Sequence, residues 1–259
     1  MTNRRSRCAS AAAAAVAIAA LLTFSPHAQT LPDPVATFSI LGFDPATGEL
    51  GGAVQSRVFS AGNGVLWADA DAGIVTTQAI VDVSYGPKGL ALLRAGMTPP
   101  AIIRAILDSD PDPGYRGNPW PKAGRQFAVM DLKGNYATHT GPQATAWAGH
   151  KGGKFSTAQG NILAGEGVVT GMIEAFEKTT GHLSLRLMAA LDAGQAAGGD
   201  TRGMQSAAML IVKKNCGVWL NNDTVLRLQV DEASTTDPLK ELRRIVEFWN
   251  ARQRRPCPQ

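Results

Sequence analysis

Histidine and cysteine are scarce in this chain, at four and three among 259 residues, and the scarcity removes whole classes of chemistry. There is no His-Glu-x-x-His and no Cys-x-x-Cys, so zinc lacks its usual ligands in any recognisable spacing. Gly-x-Ser-x-Gly and the P-loop are missing as well. Gly165-Glu166-Gly167 with Gly171 is one residue too long for a dinucleotide loop and has no βαβ setting, so it reads as a helix entry. No cofactor and no metal are expected. Charge is also thin, at 18% of residues with a net +4, and Arg4, Arg5 and Arg7 supply three of the 25 basic groups. Without them 22 basic residues face 21 acidic ones, a net +1 that gives nucleic acid or an anionic membrane no electrostatic hold. The apolar stretch from Ala11 to Leu22 is shorter than the roughly 20 residues of a membrane-spanning helix.

That stretch, with the arginines before it and Ser25-Pro26-His27-Ala28 after it, reads as a secretory signal over residues 1–28, cut after Ala28. Residues 29–36 are then a Pro-rich linker, 37–230 the core, and 231–259 a C-terminal helix with a basic tail. The expected protein is exported, periplasmic or secreted, with no stable membrane anchor after cleavage. Cys8 leaves with the signal, and in an oxidising compartment Cys216 and Cys257 can form one bridge, worth about 4 kcal/mol by chain entropy.

The 44% of hydrophobic residues suffices for one core. Thr37 to Phe43, the turn Asp44-Pro45-Ala46-Thr47-Gly48 and Leu50 to Arg57 predict an opening hairpin. Trp67 to Ile80 predicts a strand pair or one long bent strand. Thr98 caps a helix starting at Pro99 and Pro100. Gln126 to Met130 and Tyr136 to Thr140 form a second hairpin, Lys151 to Lys154 a turn, and Phe155 to Leu163 a strand. Two helices follow, on Val168, Val169, Met172, Ile173, Phe176 and on Leu185, Met188, Leu191. Ser206 to Val212 and Val225 to Val230 are strands before a last helix through Leu239, Leu242, Ile245, Val246 and Trp249, whose C-terminal dipole Arg252, Arg254 and Arg255 complement. Hairpins grouped before helices imply antiparallel sheets with helices on their outer faces, an α+β architecture.

Chemistry is left to hydroxyls. Thr37 begins the first core strand, shares a face with Ser39, and follows a removable linker. This arrangement fits an N-terminal nucleophile, whose hydroxyl attacks an amide carbonyl while its own α-amine takes the proton, directly or through water. An amine pKa of about 8 makes it a usable base.

Thr37-Phe38-Ser39-Ile40, Asp44 to Gly51, Ser56-Arg57, Thr77-Gln78-Ala79, Tyr85-Gly86-Pro87-Lys88-Gly89, His139-Thr140-Gly141, Trp147-Ala148-Gly149, Gln159-Gly160-Asn161 and Gly198 to Ala207 resemble the DUF1028 family. The resemblance implies the αββα four-layer sandwich of the N-terminal-nucleophile (Ntn) hydrolase-like superfamily, with two antiparallel sheets between helical layers. It implies that fold more firmly than any reaction. The opening also resembles a proteasome-type subunit, but Gln55 stands where that class usually carries Asp, and no lysine occurs between Thr37 and Lys88. Hairpin register decides whether Gln55 or Ser56 lies opposite Thr37.

The catalytic candidates are Thr37, Ser39, Gln78 as an oxyanion donor, and His139 at a strand end. Gln55, Ser56, Arg57, Gln159, Asn161, Asp200, Arg202, Gln205 and Ser206 are candidates for holding substrate, Arg202 with Asp200 for an anionic end. The expected function is hydrolysis of a small amide or peptide-like substrate, after a cut at Ala36–Thr37 by the protein itself or another protease. The alternative is a non-catalytic envelope or surface protein that keeps the fold for binding or assembly. A homo-oligomer through the helical faces is compatible with either.

Overall fold

Period-two alternation places each residue of the first strand. In β1 (Thr37–Asp44), Phe38 and Ile40 point one way, and Thr37, Ser39, Leu41 and Phe43 the other. Both sides are buried, so this is a central strand. The computed structural model describes residues 37–231, 237–252 and Cys257. The expected signal segment, the linker 29–36, and Arg254 and Arg255 lie outside the described residues.

After β1 come β2 (Glu49–Ser56), the short helix α1 (Ala61–Val65), β3 (Leu66–Asp69), β4 (Gly73–Ala79), and the helices α2 (Tyr85–Arg94) and α3 (Pro99–Ser109). A single 3-10 turn (Lys122–Gly124) leads into β5 (Arg125–Asp131), β6 (Tyr136–Thr140), β7 (Gly149–Gly152) and β8 (Ser156–Asn161). Helices α4 (Gly167–Lys178) and α5 (Leu183–Ala196), strands β9 (Ser206–Val212) and β10 (Thr224–Asp231), and α6 (Pro238–Arg252) complete the chain. One sheet has the order β10-β9-β2-β1-β8-β7 and the other β3-β4-β5-β6, with every pair antiparallel. The fold is α+β, with two antiparallel sheets and six α-helices among the described residues.

Three apolar clusters hold it together. Phe38, Ile40 and Met209 on one face of the larger sheet pack with Met172 and Phe176 of α4, Leu187 and Leu191 of α5, and Leu242 and Val246 of α6. Its other face joins the smaller sheet through Leu41, Leu50, Val54 and Leu210 against Ile74, Ala128 and Met130. The far face of the smaller sheet, with Val75, Phe127 and Val129, is covered by Tyr85, Leu93, Ile102 and Ile106 of α2 and α3. A disulfide joins Cys216, just past β9, to Cys257, with Cα atoms 5.0 Å apart. Among the described residues no helix is long and apolar enough to cross a membrane.

Several details differ from the sequence expectation, the short helix α1 among them. Helix α2 is not legible in the sequence, because Gly86 and Gly89 dilute its helical signal. Both are packing glycines: a Cβ would lie 2.3 Å from the Trp67 ring at Gly86 and 2.9 Å from Val75 at Gly89. Thr98 is the N-cap of α3, and Pro99 and Pro100 open it as expected, but the Thr98 side chain makes no capping hydrogen bond. Lys151 lies in β7 rather than in a turn, since β7 pairs with β8 as an edge strand.

A buried ionic anchor fixes the end of the smaller sheet. Arg125 is 2% exposed, and its Nε lies 3.3 Å from Asp110 Oδ2. Its Nη1 donates to the carbonyls of Ile80 at 2.8 Å and Trp120 at 3.0 Å. The Tyr85 hydroxyl donates to the same carboxylate. Burial pushes Asp110 up, but the Tyr85 hydroxyl, the Asp112 amide and Arg125 outweigh it and hold the carboxyl below its ordinary range. Burial and the Asp110 contact raise the Tyr85 phenol. Arg125→Met strands Asp110 in the interior, so urea unfolding should show a loss of about 3–5 kcal/mol. A loss below about 1 kcal/mol would mean that the carboxylate finds other partners.

Candidate active site between the two sheets

Register brings the polar residues together. Thr37 pairs with Ser56 on one side and Asn161 on the other. Ser56 pairs onward with Ser206, and Ser206 with Asp231. One polar row therefore crosses five strands at a single end of the larger sheet. Directly opposed residues project to the same face, so the row looks toward the smaller sheet. Ser56, not Gln55, is the residue opposite Thr37, and the two hydroxyl oxygens are 3.0 Å apart. Gln55 pairs with Phe38 and projects to the helical side, where its Nε2 donates to Gly203 O at 3.3 Å.

One pleat inward, Ser39 is a joint between the sheets. Gln159 Nε2 donates to Ser39 Oγ at 2.6 Å, and Ser39 Oγ donates to Gln78 Oε1 at 2.5 Å. Gln78 Nε2 then donates to Gln126 Oε1 at 2.8 Å and to the main-chain carbonyl of Thr37 at 3.3 Å. Gln126 Nε2 closes on Gly160 O and Thr140 Oγ1, each at 2.9 Å, and on Gly149 O at 3.1 Å. Thr76 Oγ1 accepts a further bond from Gln159 at 3.2 Å. All these groups are neutral, and Ser39, Gln78, Gln126 and Gln159 are essentially fully buried.

This geometry places the remaining candidates. Ser39 Oγ gives its one proton to the Gln78 carboxamide and accepts from Gln159, so it joins the two sheets. Gln78 has both donors occupied, by Gln126 and by the Thr37 carbonyl. His139 pairs with Phe127 in register and so faces α2 and α3, its ring centroid 5.7 Å from that of Phe127. It is on the wrong face of the sheet to meet Thr37. Burial, with His150 adding to it, lowers the His139 imidazole. The histidine on the inter-sheet face is His150, whose Nδ1 lies 2.9 Å from Thr140 Oγ1. Sequence reasoning misses His150, Gln126, Thr76 and Thr140. Gln126 and Thr140 keep the same parity as Gln78 once the hairpin register is known, which is the available signal.

The Gly198–Ser206 loop does reach this end of the sheet. Gln205 N donates to Ser56 O at 2.9 Å, and Arg57 Nη1 donates to Gln205 Oε1 at 3.3 Å. Asp200 bridges to Leu163, two residues past Asn161, and pairs with Arg202 at 3.3 Å. Ser206 Oγ donates to Val58 O at 2.7 Å and accepts from Ala61 N at 3.0 Å, which shapes the turn after β2. Asn161 stands apart: it is fully buried and neither its Nδ2 nor its Oδ1 has a hydrogen-bond partner. Among the described residues no group of three or more His, Cys, Asp or Glu sits together as a metal site would.

A sequence profile described as "Family of unknown function (DUF1028)" matches residues 37–242. The crystal structure of a protein from Silicibacter pomeroyi, assigned to DUF1028, is similar at 30% identity and a TM-score of 0.72, covering 83% of this chain and 89% of that one. No curated protein matches the chain.

Gln78→Leu removes the acceptor for Ser39 and the donor for Gln126, leaving both unmet in the interior at roughly 1–3 kcal/mol each. Chemical denaturation should show that loss, together with faster amide hydrogen exchange at Phe38 and Ser39. Unchanged stability would mean the joint contributes nothing.

Proposed function

The chain belongs to the DUF1028 family, and on that premise we propose that it is an exported N-terminal-nucleophile amidohydrolase acting on a small amide or peptide-like substrate through Thr37. The carrying observation is the position of Thr37 at the start of an inner strand, between Ser56 and Asn161, with its carbonyl held by Gln78. In this reading the two face-to-face sheets and the helices outside them are the four-layer αββα sandwich of the Ntn-hydrolase superfamily.

Thr37 is joined to Ala36 by a peptide bond, so its nitrogen is an amide and no base until that bond is cut. Once it is cut, the α-amine takes the Thr37 hydroxyl proton, directly or through water, as Oγ1 attacks the substrate carbonyl. The tetrahedral oxyanion collapses to an ester, the amine or ammonia leaves with the proton, and water hydrolyses the ester to acid and free threonine hydroxyl. Asn161 Nδ2 is the donor for the oxyanion. Ser56 Oγ orients the Thr37 hydroxyl, and the Asp200–Arg202 pair on its loop meets an anionic end of the substrate. The proposed compartment is periplasmic or extracellular.

A second reading, a non-catalytic binding or assembly protein, is favoured by the complete burial of Thr37. Intact mass and N-terminal sequencing of protein recovered from its export compartment separate the two. The enzyme reading expects a wild-type chain that begins at Thr37, with Thr37→Ala inactive in an amide-hydrolysis screen. A fully processed chain that begins at Gln29 removes the free amine and with it the mechanism.

A further inference from the structure

The unmet carboxamide of Asn161 names a ligand class. A buried polar side chain with no partner is rare because leaving it dry costs free energy that folding must offset elsewhere. Asn161 is fully buried with both heads unmet, Nδ2 as donor and Oδ1 as acceptor. It lies directly across the strand pair from Thr37, at a Cβ separation of about 5 Å. Two residues back on the same face, Gln159 Oε1 is a second buried acceptor without a partner. Gln159 gives its Nε2 to Ser39 and Thr76, whereas nothing engages either head of Asn161.

A carboxamide holds its donor and acceptor in one plane, side by side. Its complement is a group whose carbonyl and N–H also lie on one side of the C–N bond. Primary carboxamides and lactams have that arrangement. A trans peptide bond does not, because its C=O and N–H point in opposite directions. We infer that Asn161 reads a primary carboxamide or a lactam through two parallel hydrogen bonds and discriminates against trans secondary amides. In a primary carboxamide the second N–H is left for the Gln159 oxygen, whereas a lactam has none to give. This narrows the substrate class of the site proposed above; it rests on that reading for the hydrolysis of the bound ligand, not for binding itself.

The probes are propionamide, 2-pyrrolidinone and N-methylacetamide, added to the full chain and read by calorimetric melting and titration. The expected result is a saturable stabilisation by the first two and binding weaker by about tenfold for N-methylacetamide, which can make only one of the two bonds. Asn161→Leu removes the unmet polar group and should melt above the wild type without ligand, while losing the preference among probes. Asn161→Ala guards against a misfit of the larger side chain and should also lose the preference. Thr37→Ala should keep it, since the hydroxyl is no part of the fork. Equal binding of all three probes, or melting of both Asn161 variants well below the wild type, overturns the inference. A chain that binds the probes selectively but retains the residues before Thr37 leaves it standing while sinking the nucleophile.

Discussion

One directed run of hydrogen bonds, from Gln159 through Ser39 and Gln78 to Gln126, sets the geometry between the two sheets. Ser39 has a single proton and gives it to Gln78, so the direction of every other bond in the run is decided. In a dry interior such bonds are strong, and a missing one is expensive. The sheets cannot slide past each other without breaking several at once. Because Gln78 also donates to the Thr37 carbonyl, the same run fixes the start of β1.

Polarity is concentrated at one end of the inter-sheet layer. Leu41, Leu50, Ile74 and Met130 line most of the rest, with the Thr138–Thr157 hydroxyl pair between the sheets. At the Thr37 end, hydroxyls and carboxamides replace them, and Asn161 is left without partners. A protein selected only for stability would fill that position with an apolar side chain. Leaving the Asn161 carboxamide unmet costs stability that an apolar side chain there would not. Behind it, Arg125 holds the Ile80 carbonyl and so locks the chain just after Gln78, where Ala79 adopts a left-handed conformation with φ +66°.

Much of this is legible from residues alone. The opening hairpin, the Gln126–Thr140 hairpin and the α4–α5 pair are marked by turn chemistry and apolar period. The place of Thr37 at the head of a strand comes from the same pattern. Facing is harder. His139 and Thr140 are adjacent, yet parity puts one against α3 and the other into the amide run, and only the pairing of Gln126 with Thr140 decides which. Gln55 and Ser56 pose the same problem until register puts Ser56 opposite Thr37. Helix α2 stays hidden because its glycines serve Trp67 and Val75 rather than local propensity. Long-range partners such as Gln159 with Ser39, 120 residues apart, leave no local trace.

The proposed mechanism stands or falls with Thr37 as the reacting group. Treatment of the mature protein with a β-lactone, which acylates an activated hydroxyl, followed by peptide mass mapping, tests this most directly. The predicted result is a single acyl adduct on Thr37 at the head of its peptide, lost when the amine is blocked beforehand. An unmodified Thr37 with the label on Ser39 or Ser56, or no label at all, would contradict it.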